Sequence, residues 1–187
     1  MNPEVVMRTS VQHEIGGYDS ESPHAGDIEM WMRAAAVSDV GRVNGAAQGY
    51  YRIHPDSMQR TTYAGHLIDL EGRLAAFEKV LTVSERRVPR SDHLLETARR
   101  ALAASAIAYA RSAYAHGRAG TEPVEEYLAF AAQVWPPVRR TRRWRATCQR
   151  AEARTPRLTR RVSATVRRVV EDLQGRVRWR RWRWTGV

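Results

Sequence analysis

The sequence predicts a mostly helical α+β fold, with a few short strands near the N-terminus and a basic helix at the C-terminus. Two β-like pieces, VGRV and AAQGYYRI, lie on either side of the turn signal Asn44-Gly45 and predict a hairpin. The middle of the chain carries an apolar stripe at intervals of three and four residues, which predicts an amphipathic helix. This stripe consists of Leu67, Leu70, Leu74, Phe77 and Leu81.

The chain divides by composition into residues 1–60, residues 61–135 and residues 136–187. In the first region VQHEI predicts a short helix after Ser10, and a second helix is expected from Asp27 to about residue 37. The second region predicts the stripe helix followed by an αα-hairpin, whose first helix ends at Gly117. An arginine- and tryptophan-rich tail forms the third region.

The excess of basic over acidic side chains lies entirely in this tail. The formal net charge is +11, yet residues 136–187 carry 17 basic and 3 acidic side chains, a net of +14. Within residues 159–187 a valine stripe at helical spacing leads to RWRRWRW, which favours an interfacial helix on an anionic membrane. Arginines with interleaved aromatics also suit nucleic acid, the less favoured partner because no base-reading motif is present.

The cysteine count and the N-terminus bear on the compartment. A single cysteine, Cys148, excludes an intrachain disulfide and a metal cage built of cysteines. MNPEVVMRTS lacks the basic and apolar regions of a signal peptide, and no run approaches the roughly 18 apolar residues of a membrane span. We therefore expect a cytoplasmic protein, placed peripherally on the inner face of the plasma membrane.

Asp27 is the first candidate for chemistry, and two interpretations stand side by side. As an acid at a helix N-terminus it can accept amide hydrogen bonds and complement the helix dipole. With Trp31 one turn later on the same face, it can also serve a site for a hydroxylated ring such as a sugar, although a tryptophan of the apolar core explains the spacing equally well. Glu29 and Arg33, four residues apart, predict a surface ion pair.

The stretch YYRIHPDS is the second candidate. Arg52, His54 and Ser57 converge where a predicted strand enters a loop. A histidine there is either a hydrogen-bonded structural residue or a ligand of a metal or phosphate oxygen, and Arg52 can pair with an anion such as a diphosphate.

Taken in order, these motifs resemble the C-terminal half of a family 2 glycosyltransferase catalytic domain of the GT-A fold. VVMRTSVQHEIGGYDSESPHAGDIEMWMR matches its strand, its GG(F/Y)D helix and its acid-containing helix, and GYYRIHPDSMQ matches its closing YRxHxxS hairpin. The match covers residues 3–58, about the first third of the chain. The resemblance implies a truncated GT-A half in residues 1–60, followed by a helical extension.

The resemblance also implies roles for single residues. Asp27 corresponds to the general base that deprotonates the acceptor hydroxyl in inverting transfer from a nucleotide sugar to a glycan or lipid-linked acceptor, as in cell envelope polysaccharide biosynthesis. Trp31 and Arg33 fall in the acceptor site. His54 corresponds to a ligand of the divalent metal, Mg²⁺ or Mn²⁺, beside the diphosphate, for which Arg52 is the candidate partner.

The chain departs from this family pattern in two places. Gly26 stands where the family often has Glu, and no Asp-x-Asp metal motif occurs in the 187 residues. We therefore expect the donor-binding half to be missing and the chain to be inactive alone. The alternative is a non-catalytic fragment, or a module that binds membrane or nucleic acid through its tail. An orphaned half sheet would also leave an unpaired edge, which predicts self-association.

Overall fold

The computed structural model describes residues 5–22, 24–43, 65–83 and 88–152, together with 173, 176, 177 and 180. In the continuous ranges it contains six α-helices and one 3-10 helix. In chain order these are α1 (Thr9–Ile15), α2 (Gly26–Ala35), α3 (His66–Val83), α4 (Ser91–Ala115), α5 (Val124–Val134), the 3-10 helix (Pro136–Arg140) and α6 (Arg142–Glu152). None of the helices in this part of the chain is long and apolar enough to cross a bilayer.

The predicted α+β fold, and with it the truncated GT-A half, is wrong for the described residues, which form an all-α fold without a strand. Residues 40–43, predicted as the first strand of the hairpin, are irregular, and Val40 and Val43 are 78% and 77% exposed. The physical reason lies in their spacing: residues three apart point to opposite faces of a strand, so VGRV offers no apolar face to bury. Residues 46–53, the predicted second strand, lie outside the described residues.

The chain divides into two compact units. The first comprises Met1–Gly41 and Ala46–Leu102, and the second comprises Arg42–Gly45 and Ala103–Val187. No sheet edge occurs in the described ranges. Self-association was inferred from such an edge, so it stays a prediction that the described residues do not support.

The first unit is organised around α2, which packs against both α1 and α3. Small and apolar side chains fill the contact between α2 and α3 and the core beneath it, namely Ala25, Met30, Ala34, Leu70, Ala76, Val80 and Leu81. Helix α3 lies where the apolar stripe predicts it. Leu70 and Leu81 of that stripe are buried, whereas its other three members are half-buried.

The second unit is built from the C-terminal part of α4, α5, the 3-10 helix and α6. Its core on α4 consists mainly of alanines, namely Ala103, Ala106, Ala110 and Ala113. Helix α4 ends in a Schellman motif, in which the amide of Arg118 donates to the carbonyl of Ala113 while Gly117 adopts a φ of 72°. The rings of Tyr109 and Tyr127 then join α4 to α5 with centroids 6.0 Å apart. Burial raises the pKa of the Tyr127 hydroxyl, with a further contribution from the nearby Glu122.

The beginning of the predicted basic tail is folded into this second unit. Val138 in the 3-10 helix is 3% exposed and Thr147 in α6 is fully buried. Thr141 connects the two helices, because its hydroxyl donates to the carbonyl of Val138 at 2.7 Å and accepts from the amide of Trp144 at 3.2 Å. This is the side-chain cap of α6. Residues 136–152 therefore contribute to a core.

A close approach at Gly72 sets how near the loop before α2 lies to α3. A Cβ placed on Gly72 would lie 2.6 Å from Cδ2 and 3.3 Å from Cγ of His24. The imidazole Nε2 lies 3.7 Å from Oδ1 of Asp69, whose other oxygen pairs with Arg73 at 2.7 Å. The missing side chain at Gly72 thus makes room for the ring.

We predict that Gly72→Ala lowers the free energy of unfolding by about 1 kcal/mol, measured by urea denaturation. Alanine favours a helix by up to about 1 kcal/mol over glycine, but the clash with His24 costs about 1–3 kcal/mol. In a His24→Ala background the imidazole that the new methyl group would meet is absent, so the same change should stabilise the protein. Equal effects in the two backgrounds would contradict the close approach.

Candidate functional site

The candidate site centres on the N-terminal end of α2, where Asp27 lies in the first turn. Its Oδ1 accepts the amide of Ile28 at 2.8 Å, and the side chain is half-buried. The residue before the helix, Ala25, makes no side-chain cap bond. Asp27 therefore takes part in capping the helix, as the first interpretation predicted, and uses one of its two oxygens to do so.

Arg33 and Glu29 form the ion pair that their spacing predicted, but the pair is not on the surface. Glu29 is 2% exposed. The guanidinium approaches both carboxylate oxygens, Nε to Oε1 at 2.7 Å and Nη2 to Oε2 at 2.8 Å. A buried carboxylate requires such a partner, because an unpaired charge is very costly away from water.

The same guanidinium also holds the end of α1. Nη2 of Arg33 donates to the carbonyl of Gly17 at 2.8 Å, and Nη1 donates to the carbonyl of Ile15. These carbonyls belong to the C-terminal end of α1 and the residues after it, where helix carbonyls have no partner within the helix. Arg33, predicted to bind an acceptor, is thus engaged in four hydrogen bonds within the first unit. Its acceptor role stays a prediction.

The loop between α1 and α2 is tied to α3 through Asp19, the acid of GGYD. Its carboxylate accepts the amide of Glu21 at 3.1 Å, the hydroxyl of Ser22 at 2.8 Å and Nζ of Lys79 at 2.6 Å. Lys79 also donates to Glu21 at 3.1 Å. The bonds from Lys79, Ser22 and the amide of Glu21 lower the pKa of Asp19 to about 2, and bonding to Asp19 and Glu21 raises the pKa of Lys79.

The remaining predicted site residues divide into two groups. Trp31 lies on α2, one turn after Asp27, and is half-buried. Arg52 and His54 lie outside the described residues, so their roles toward a diphosphate and a metal stay predictions. Among the residues that are described, no group of three or more His, Cys, Asp or Glu side chains could hold a metal ion.

Three residues that hold the loop before α2 against α3 were not predicted from the sequence: Asp19, Lys79 and His24. Asp19 stands in the quoted GGYD motif, which was the available signal for it. Lys79 lies 60 residues away from Asp19 along the chain, and no local pattern joins the two. His24 is recognisable only from its contact with a glycine of α3.

No family model, no curated protein and no solved structure matches this chain.

We predict that Arg33→Met lowers the free energy of unfolding by about 3 kcal/mol or more, because it leaves the Glu29 carboxylate buried without a partner. The double variant Glu29→Leu with Arg33→Met removes that charge as well and should recover a large part of the loss. Chemical denaturation of the two variants beside the unaltered chain measures the difference. A double variant less stable than Arg33→Met would contradict the buried charge as the main cause.

The lowered pKa of Asp19 predicts a pH dependence on the acid side. Because the unfolded chain takes up the proton near pH 3.8 and the folded chain only near pH 2, this contribution to stability is present above about pH 4 and lost as the pH falls to 2. Urea denaturation from pH 5 to pH 2 should show the loss. Lys79→Met should flatten this part of the profile, whereas an unchanged slope would contradict the link between the two residues.

Proposed function

We propose that the chain supplies the acceptor-side general base of a glycosyltransferase, and that this base is Asp27. One observation carries the proposal. Among the four acids of α2 and the loop before it, three are paired with a cation, namely Asp19, Glu21 and Glu29. Asp27 is the exception: Oδ2 has no donor among the described residues, so a lone pair stays available for an incoming hydroxyl.

The surroundings of Asp27 suit this role because they hold it in place. The backbone bond from Ile28 orients the carboxylate at the start of α2, and Arg33 fixes the other end of that helix against α1. The ring of Trp31 lies one turn away on the same helix, where an aromatic face can lie against a sugar ring. A base that is held in position spends little entropy on reaching its substrate.

The proposed step is an inverting displacement. The Asp27 carboxylate takes the proton of the acceptor hydroxyl as the acceptor oxygen forms a bond to the anomeric carbon of the donor sugar. The bond from that carbon to the nucleoside diphosphate breaks, and the diphosphate leaves with the electron pair. Arg33 acts as a positioning residue through α2. The donor is a nucleotide sugar, and we place the protein at the cytoplasmic side of the membrane as part of the same proposal.

We predict that Asp27→Asn lowers turnover by at least about 100-fold, the usual size of a general-base contribution. The assay follows nucleoside diphosphate release by the product of the complete coding sequence, with a panel of nucleotide sugars and oligosaccharide or lipid-linked acceptors. The matched control is Asp92→Asn, since Asp92 lies in the first turn of α4 and resembles Asp27 in its position on a helix.

The two variants separate the base from the capping acid. If Asp27 only caps α2, both substitutions should cost about 1 kcal/mol of stability or less and leave turnover unchanged. That result, or the absence of diphosphate release with every donor tested, would contradict the proposed function. A loss of turnover confined to Asp27→Asn, with the melting temperature close to that of Asp92→Asn, supports it.

A further inference from the structure

Five arginines lie exposed on the 3-10 helix and the first turns of α6. We call this surface the arginine face, and it consists of Arg139, Arg140, Arg142, Arg143 and Arg145. The remaining side of α6 faces the protein, where Thr147 is fully buried and Trp144 and Cys148 are half-buried. Burial of that side fixes the orientation of α6 and turns the arginines outward.

The charges of the arginine face are not compensated by the described part of the fold that holds them. In the described part of the chain none of its five guanidinium groups pairs with a carboxylate. The first turn of α6 contains no acid, and the positive end of a helix dipole disfavours cations at that end. Five like charges on neighbouring turns also repel one another. The fold therefore carries these charges at a cost, which a partner of opposite sign would offset.

We propose that the arginine face docks onto an anionic phospholipid bilayer. The charges are spread over a folded surface, which matches the plane of headgroups better than a single phosphate. Because the apolar side of α6 is turned inward, contact is by charge at the headgroups and not by insertion. The chain beyond α6 adds 11 further arginines and three tryptophans, residues that suit the same interface.

Nucleic acid fits the arginine face less well. Binding to single strands relies on aromatic rings on which bases stack. Trp144, the aromatic residue within this stretch, is half-buried and lies on the inward side of α6. Docking to a bilayer does not depend on Asp27, so a loss of docking in the arginine variants leaves the proposed role of Asp27 as general base untouched.

The test measures co-sedimentation of the full chain with phosphatidylcholine vesicles that contain phosphatidylglycerol. Arg142→Gln with Arg143→Gln should weaken binding about 20- to 30-fold at about 0.1 M salt. Each basic residue near such a surface contributes about fivefold to the binding constant, and the two effects multiply. The matched control is Arg8→Gln with Arg100→Gln, which removes the same charge from exposed arginines elsewhere. It should weaken binding less than about threefold, because neither arginine belongs to the arginine face.

Two more variants decide between charge and folding as the cause. Arg142→Lys with Arg143→Lys keeps the charge and should retain binding within about threefold. Arg139→Gln with Arg140→Gln should weaken binding as the first pair does, although these residues lie outside α6. The glutamine variants of the arginine face should melt at the temperature of the unaltered chain or above it, because removing repulsion does not destabilise the fold. The lysine variant, which keeps the charge, should melt at the temperature of the unaltered chain.

Several outcomes would overturn the docking proposal. The first is that the control pair weakens binding as much as the pairs on the arginine face. The second is that the unaltered chain binds equally well to vesicles of phosphatidylcholine alone. The third is that the lysine variant no longer binds. Binding of the unaltered chain to a short DNA duplex but not to the anionic vesicles would instead assign the face to nucleic acid.

Discussion

The buried carboxylate of Glu29 is the constraint on which the first unit depends. A charge that is 2% exposed needs a partner with matching geometry, and the guanidinium of Arg33 meets both of its oxygens. The remaining donors of the same group reach the carbonyls at the end of α1. One ion pair therefore satisfies a buried charge and fixes the angle at which α1 meets α2. A lysine could not do both, because its ammonium lacks the planar fork.

The acids near α2 show how one chemical group serves different purposes through its surroundings. Glu29 is held inside the fold by a fork of two bonds, and Asp19 is held at the loop by three donors. Asp27 has a single bond from the backbone. A carboxylate whose oxygens are all hydrogen-bonded stabilises structure but has little capacity to accept a further hydrogen bond. Availability of a lone pair, rather than acidity of the residue type, marks Asp27 as different.

Much of the helical part could be predicted from the sequence, because helices depend on local spacing. The apolar stripe and the glycine at 117 placed α3 and the end of α4 correctly. The predicted strand at residues 40–43 is wrong because its two valines, three residues apart, share no face of a strand that could be covered. Helix α6 was not predicted, because four arginines interrupt its apolar positions; the local signal for its start was the capping Thr141. The link from Asp19 to Lys79 could not be predicted, since it joins distant residues and depends on how α2 and α3 pack.

That distant link has a consequence for synthesis of the chain. At about 5–20 residues per second, the 60 residues from Asp19 to Lys79 take roughly 3–12 s to be made. The pair of Glu29 and Arg33 lies within one helical turn and can form as soon as α2 leaves the ribosome. The loop at Asp19 must wait for α3. During these seconds the nascent chain presents an acidic loop without its lysine, and the N-terminal segment completes its fold only after a much later part has been translated.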